Sequence, residues 1–438
     1  MKLDKTIRAR SRIRLSVFCC LFVAIAAQCG GSSDSGGIPP TNNPPTNPTN
    51  PTTPTGPTTS AACDNGNGGL NLPTGFCATV FADNVGAARH IVVTASGDVY
   101  TMLSGGAVLA LRDTNGDGHA DMRASFGRSG NSGLYLRDNN LYADNGTFIV
   151  RYSLVPGTLA PATAPDTLVK GLPTGGHSSR SIAVDAMGSM FVGIGSVTNI
   201  CESGTKDPCN ELPTRAGVWK FDASAKNQAF SSGARFATGI RNAVGMAIQP
   251  ATNLLYVTQH GRDNLYQSYP ALFTSKDGAE SPAEEIFQVN SGDDYGWPYC
   301  YFDSKVGHRV LGPEYGGNRS TIGRCSTTKA TVTAFPGHWA PNGLTFYAGT
   351  NFPEHYRNGA FVAFHGSWNR APEAQAGFLV AFVPASNSSL SSTYEVFADG
   401  LAAQQAHRPV GVAVDSTGAL YITDDAGGRI WRVVYRGS

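Results

Sequence analysis

The chain carries little charge and no surplus of either sign. Lysine plus arginine total 33 against 32 aspartates and glutamates, a formal charge of +1, and charged residues make up only 15% of the 438. That balance excludes the electrostatic footprint of a nucleic-acid binder or a polybasic membrane-surface protein. Beyond the first 30 residues no stretch is long and apolar enough to span a bilayer. A C-x-x-C-H is missing, so no c-type haem attaches to this chain. What is abundant is glycine, 52 residues, set among many short apolar runs. Together with the low charge, that favours an all-β exported protein over a helical one.

The N-terminus reads as an export signal, residues 1–28. Arg8, Arg10, Arg12 and Arg14 form a basic region ahead of the apolar "LSVFCCLFVAIAA", which is too short for a membrane span. In "AAQCGGSSDSGG", Cys29 stands where a bacterial lipoprotein is cleaved and lipidated, although Gln28 is larger than the usual preceding residue. This places the protein in the periplasm or on the outer membrane, held by a lipid anchor only. Residues 29–62 form a linker rich in proline, threonine and asparagine. From Gly37 to Ala62 it holds eight of the 26 prolines and almost no apolar bulk, so it buries no core and is expected to be an extended tether. The folded domain is expected at 63–438.

Nine cysteines reduce to six once Cys19, Cys20 and Cys29 are assigned to the signal and anchor. An even set in an exported chain implies disulfides. Sequence proximity suggests Cys63–Cys77, Cys201–Cys209 and Cys300–Cys325, one of 15 possible connectivities.

The strongest signal is internal repetition. "HIVVTASGDVYTMLS", "GLYLRDNNLYADNG", "SIAVDAMGSMFVGIG", "GMAIQPATNLLYVTQ" and "GVAVDSTGALYITDD" are one unit, and "GLTFYAGTNFPEHYRNGAFVAFHG" is a looser sixth copy. Each reads as strand, tight turn, strand. Third strands follow, such as "VLALRD", "GVWKFD" and "RIWRVVY", and outer strands recur in "ATVFADNV", "DTLVKGL" and "YEVFADGL". Four strands in each of six units predict a six-bladed β-propeller. The alternative is a large β-sandwich.

The turn residues Gly97, Asn140, Gly188, Asn253, Thr350 and Gly418 align the six units. Eleven residues before them lie Gly86, Ser129, His177, Asn242, Trp339 and His407, with Arg128, Arg241, His338 and Arg408 as neighbours. In a propeller these loops share one mouth of the central channel. The set therefore predicts a pocket of convergent polar and aromatic groups. The competing reading is that each polar residue only caps its own loop. Insertions around Cys201–Cys209, Asn264–Glu284 and Cys300–Cys325 are expected to shape access.

At these loops the sequence resembles the quinoprotein sugar dehydrogenases of the soluble glucose dehydrogenase and L-sorbosone dehydrogenase type. The resemblance is carried by "GGHSSRSIAVD", "ATGIRNAVGMAI", "YVTQHGRDNL", "PAEEIFQVNSGDDYGWPYCYFD", "FPGHWAPNGLTFY", "FVAFHGSWNR" and "HRPVGVAVDSTGALYITDD", from about Cys63 onward. "GDDYGWPYCYFD" and "HGSWNR" are most similar to the sorbosone branch. The resemblance implies oxidation of an aldose or related sugar, with pyrroloquinoline quinone (PQQ) and calcium as cofactors and a separate electron acceptor, a cytochrome or a quinone. It implies His177 as the catalytic base. It implies calcium on the backbone carbonyls of Gly261 and Arg262, with Gln259 and Asp263 in support. For the carboxylates of PQQ it implies Arg241 and Arg408, with Asn242 beside them and Trp339 and His338 at contact positions. Arg370 is a further cofactor candidate, in a segment where the glucose-type branch has a lysine. Trp297 is expected to pack in the core, and His355 and His365 are left unassigned.

Two rival readings compete with an oxidoreductase. One is a non-catalytic propeller binding a sugar or protein ligand at the same mouth. The other is a metal-dependent hydrolase or lactonase, which the lack of carboxylates among the aligned mouth positions disfavours. Finally, "RDTNGDGHAD" begins like a calcium loop, with Asp113, Asn115, Asp117 and Asp121 as candidate ligands for a second, peripheral ion. The twelfth position from Asp113 is Ala124, so the bidentate glutamate is missing. Its place between third and fourth strands predicts a hairpin tip.

Overall fold

Each repeated unit forms an antiparallel sheet because its apolar residues alternate and its turn residues tolerate left-handed backbone. Gly97, Gly188, Asn253 and Gly418 all have positive φ, between 59° and 88°. In the second unit Asp138 and Asn139 take this role one position earlier, a two-residue hairpin turn. The computed structural model describes residues 62–231, 234–401 and 407–437. The export signal, Cys29 and nearly all of the linker lie outside the described residues.

Among the described residues six blade sheets follow one another around a ring, as the repeats predict, five of four strands and one of five. Blade I is Ala88–Val93, Val99–Leu103, Gly106–Arg112 and Met122–Gly130. Blade II runs through Leu134–Arg137 to Asp166–Lys170 and gains a short parallel strand, Gln228–Ala229. Blade III spans Ile182–Val184 to Arg235–Thr238, blade IV Ala243–Ile248 to Thr333–Phe335, and blade V Pro341–Phe346 to Glu395–Ala398. Blade VI takes its first three strands from the C-terminus and its outermost, Phe76–Ala82, from the start of the domain. That strand pairs Phe76 with Tyr435 and Val80 with Trp431. Closure of this kind covers the edges that a linear stack would leave open.

The core lies between blades. Trp219 and Trp431 are fully buried, and Phe76 from the closing strand meets the rings of Phe352, Tyr356 and Phe397 on blade V. Three disulfides join Cys63 to Cys77, Cys201 to Cys209 and Cys300 to Cys325. The last two staple the insertions, which interlock over one end of the ring. Trp297, buried as expected, donates its indole N–H to the Asn199 carbonyl at 2.9 Å, and the Tyr299 hydroxyl accepts from the Cys209 N–H at 2.7 Å.

Candidate active site

Polar contacts join all six blades at one mouth, five of them between side chains and one between backbones, each crossing a blade boundary. Arg89 on blade I donates to Ser132 on blade II at 3.1 Å, and Asn131 on blade II reaches Ser178 on blade III at 3.3 Å. Ser196 on blade III donates its N–H to the Arg241 carbonyl on blade IV at 2.8 Å. Asp263 on blade IV accepts from Asn369 on blade V at 2.6 Å. His365 on blade V shares a hydrogen bond of 2.8 Å with Asp425 on blade VI, and Asp425 accepts from Arg89 at 2.5 Å, closing the circle. The loops aligned from sequence therefore do face one channel mouth.

His177 sits in this ring with a defined tautomer. Its Nδ1 lies 3.0 Å from both the Ser196 carbonyl and the Ser196 hydroxyl oxygen. That hydroxyl already donates to the Thr198 carbonyl at 2.7 Å, so both neighbours of Nδ1 are acceptors and Nδ1 carries the proton. Nε2 is left with its lone pair. Burial, helped by the Arg241 cation, lowers the His177 pKa to about 4 against the opposing pull of the Ser196 carbonyl and Asp263. The ring is thus a neutral base near pH 7. Gly195 allows the close approach: a Cβ there would stand 2.5 Å from the His177 carbonyl oxygen and 3.0 Å from Asn242 Oδ1.

Arg241 is buried and is held through its Nε, its Nη2 and its backbone N–H. It donates to Asp263 at 2.8 Å and to the Asn199 side chain at 3.1 Å, and its backbone N–H donates to Gln259 Oε1 at 2.9 Å. Gln259 in turn donates to Glu285 at 2.9 Å. Burial disfavours the Asp263 anion, but His338, Arg241 and Asn369 outweigh it and hold its pKa below the usual carboxylate range. Gly261 donates its N–H to Glu284 at 2.9 Å, and the buried Arg262 pairs with Glu314. The Gly261 and Arg262 carbonyls accept no hydrogen bond among the described residues. Arg408 lies over the Phe378 ring and reaches the His365 and Gly366 carbonyls at 3.3 and 3.2 Å.

Two candidates are drawn away from the mouth. The Trp339 ring packs against Phe364 and Tyr394 between blades. The Arg370 guanidinium is bound to the Ala374, Ala279 and Gly337 carbonyls and to Glu280, so it acts as a tie beneath the loop. The mouth also holds carboxylates, contrary to the aligned positions alone. Asp263, Glu284 and Asp425 come from other strand ends, and each has its protein partner. Among the described residues no group of three or more His, Cys, Asp or Glu side chains could hold a metal ion.

Other mouth residues escaped the sequence reading. His260 is half-buried, its buried Nε2 has no partner among the described residues, and desolvation, with Arg241 adding to it, lowers its pKa to about 3. Burial pushes the Glu284 carboxyl up to about 7. A signal for some of them existed. Seven residues after the turn anchors stand Ser104, Gly195, His260 and Asp425, in units I, III, IV and VI.

The Asp113–Asp121 loop is a hairpin tip between the third and fourth strands of blade I, as predicted. Asp113 accepts from the Gly116 and Gly118 N–H groups at 2.7 and 2.8 Å. Asn115 and Asp117 accept from the N–H two residues on, at 2.9 and 2.8 Å, and Asp121 binds Thr114.

Several known proteins are similar to this chain. An uncharacterized protein of Borreliella burgdorferi is 27% identical over 265 residues, 59% of this chain and 61% of that one. The PQQ-dependent pyranose dehydrogenase of Coprinopsis cinerea is 24% identical over 332 residues, 66% of this chain but 44% of that protein. This chain thus spans less than two thirds of either relative. The holo PQQ domain of the Coprinopsis enzyme superposes with a TM-score of 0.69 at 20% identity, covering 83% of this chain and 97% of the domain. Residues 70–436 match the TrAA12-like family model, and the chain belongs to that family.

Proposed function

We propose that the protein is an exported oxidoreductase that oxidises an aldose or related sugar, with PQQ and calcium as cofactors. The observation that carries this is the location of His177, Arg241, Asn242 and the Gly261–Arg262 loop on one closed polar ring. Similarity to the pyranose dehydrogenase supports the substrate class.

The residues present fit the two cofactors. Asn242 Oδ1 and His260 Nε2 are buried atoms with no partner among the described residues, which leaves them to meet a bound group. Arg241 and Arg408 supply planar cations suited to carboxylates. The unengaged carbonyls of Gly261 and Arg262 are the hard oxygen donors calcium prefers, with Gln259 close by. When bound, PQQ supplies a two-electron acceptor and calcium supplies Lewis-acid polarisation.

The chain's own part is to bind, orient and move one proton. Nε2 of His177 accepts the proton of the sugar hydroxyl, while the carbon bearing that hydroxyl would give its hydride to the two-electron acceptor that PQQ supplies when bound. Ser196 holds the imidazole in the tautomer this requires, and the depressed pKa keeps it unprotonated. Arg241, fixed by Asp263 and Asn199, orients the cofactor's carboxylates. A separate acceptor, a cytochrome or quinone, must carry the electrons away. We further propose a signal at 1–28, a lipidated Cys29, a tether at 29–62 and the catalytic domain at 63–438, placing the enzyme in the periplasm or on the outer membrane. The loop of Asp113, Asn115, Asp117 and Asp121 is kept as a second, peripheral calcium candidate.

The test is to load the chain with PQQ and calcium and follow dye reduction with a panel of aldoses. Sugar-dependent reduction supports the proposal. Absence of quinone binding overturns it, and binding without turnover on any sugar favours a ligand-binding propeller instead.

A further inference from the structure

The chain has five tryptophans, and four of them are packed away. Trp219, Trp297 and Trp431 are buried, and Trp339 is held between Phe364 and Tyr394. Trp368 is 72% exposed. An indole that could bury some 150–250 Å² is instead left in solvent.

The loop that presents it is tied on both sides. Ser367 donates its hydroxyl to Gln375 at 2.7 Å, accepts from the Ala376 N–H at 2.9 Å and donates its own N–H to the Ala376 carbonyl at 2.9 Å. Asn369 donates to Asp263 at 2.6 Å, and Arg370 is bound by three carbonyls and Glu280. The exposed ring is therefore held by a fixed backbone. It also belongs to the mouth. Asp263 takes Arg241 on one carboxylate oxygen and Asn369 on the other. The Ser367 carbonyl receives Arg408 at 3.5 Å.

We propose that Trp368 is the stacking platform for a pyranose ring at the rim of the site, and so a specificity-determining residue. This rests on the sugar-oxidising reading. A pyranose has a flat C–H face and a rim of hydroxyls. A rigid aromatic plate beside the amide of Asn369 and the guanidinium of Arg408 complements both. PQQ is a weaker match for this position, since the indole is exposed at the rim while Arg241, Asn242 Oδ1 and His260 Nε2, which fit the cofactor, are buried. A protein partner is also a weaker match. Ser367, Asn369 and Arg370 flank the indole with polar groups, whereas the centre of a protein interface is apolar.

The experiment uses the full chain loaded with PQQ and calcium, with D-glucose, D-galactose and cellobiose as probes. Trp368→Ala is expected to raise KM for the best of these about 10-fold or more, with kcat within about threefold, and Trp368→Phe to recover most of the loss. In the wild type, saturating sugar should protect tryptophan fluorescence from iodide quenching, because Trp368 is the exposed indole; W368A should lack that protection. An unchanged sugar KM overturns the proposal. So does a rise in the PQQ dissociation constant, or in KM for the acceptor dye, with sugar KM unmoved. If the wild type oxidises none of the sugars, the catalytic reading fails by itself. The quenching arm then decides on the platform: protection by sugar supports it, and none overturns it.

Discussion

The Asp113–Asp121 hairpin tip and the channel mouth differ in how they relate to sequence. The tip has the spacing of a calcium loop, and every one of its four candidate side chains bonds within nine residues of chain. The mouth has no such spacing. Its bonds join residues far apart: His365 to Asp425, Asp263 to Asn369, Arg89 to Asp425. A local pattern reports local backbone needs, here the capping of turn N–H groups. A site assembled by ring closure has to be found by aligning blades.

The largest expected effect separates the two regions outright. His177→Ala should lower kcat by about 10³-fold, within the range for loss of a general base. PQQ affinity should stay near wild type by fluorescence titration, because the role proposed for His177 is to move a proton and not to hold carboxylates. Retention of kcat would remove the base from the mouth. Next, Arg241→Lys keeps the charge beside Asp263 but loses the planar fork. PQQ dissociation should rise by about 10- to 100-fold, read by the same titration. No change would mean that Arg241 serves only the Asp263 network.

A smaller effect concerns the channel lining just below the mouth. His90 is half-buried on the first strand of blade I, with Nε2 2.8 Å from the Asn342 carbonyl, and desolvation lowers its pKa to about 4. The unfolded chain, with histidine near 6.5, binds more protons across that interval. Stability contributed by this group is therefore present above pH 6.5 and lost as pH falls toward 4. His90→Gln keeps a donor for Asn342 and removes the titration. Its unfolding free energy should fall less than the wild type's between pH 7 and 4.5, by on the order of 2 kcal/mol, read from denaturant melts at the two pH values. Parallel curves for the two proteins would show that His90 does not carry the acid sensitivity.

Much of the fold was legible because blade geometry repeats. The turn at Gly97, Gly188, Asn253 and Gly418 needs left-handed backbone, and that need marks the sequence. The mouth residues eleven positions earlier followed from it. What stayed hidden lay after the second strands. His260 and Asp425 keep a fixed distance from their turns, but blade V interposes residues 347–359 between its first two strands, which displaces His365 from that register. Glu284 opens a third strand after a long insertion, so no count from a turn reaches it. Trp339 and Arg370 lie apart from the polar ring for another reason. Position along the chain names the loop, but not whether a side chain turns into the channel or back between blades.

The smallest effect belongs to the hairpin tip. Asp113→Asn keeps one acceptor oxygen and replaces the other, which meets the Gly118 or Gly116 N–H, with a donor. One capping bond is lost, which costs about 1 kcal/mol at an exposed turn. Strand pairing on either side is untouched: Arg112 still pairs with Met122, and Leu111 with Arg123. The tip shares no bond with the mouth ring. The melting temperature should therefore drop by roughly 1–3 °C in a domain of this size, while kcat, sugar KM and PQQ affinity stay within twofold. The calcium needed for half-maximal activation should also be unchanged, because the functional ion is proposed at Gly261 and Arg262 and not at the tip. A shift in that calcium requirement would place the functional ion at the tip, and the contrast between the two regions would invert.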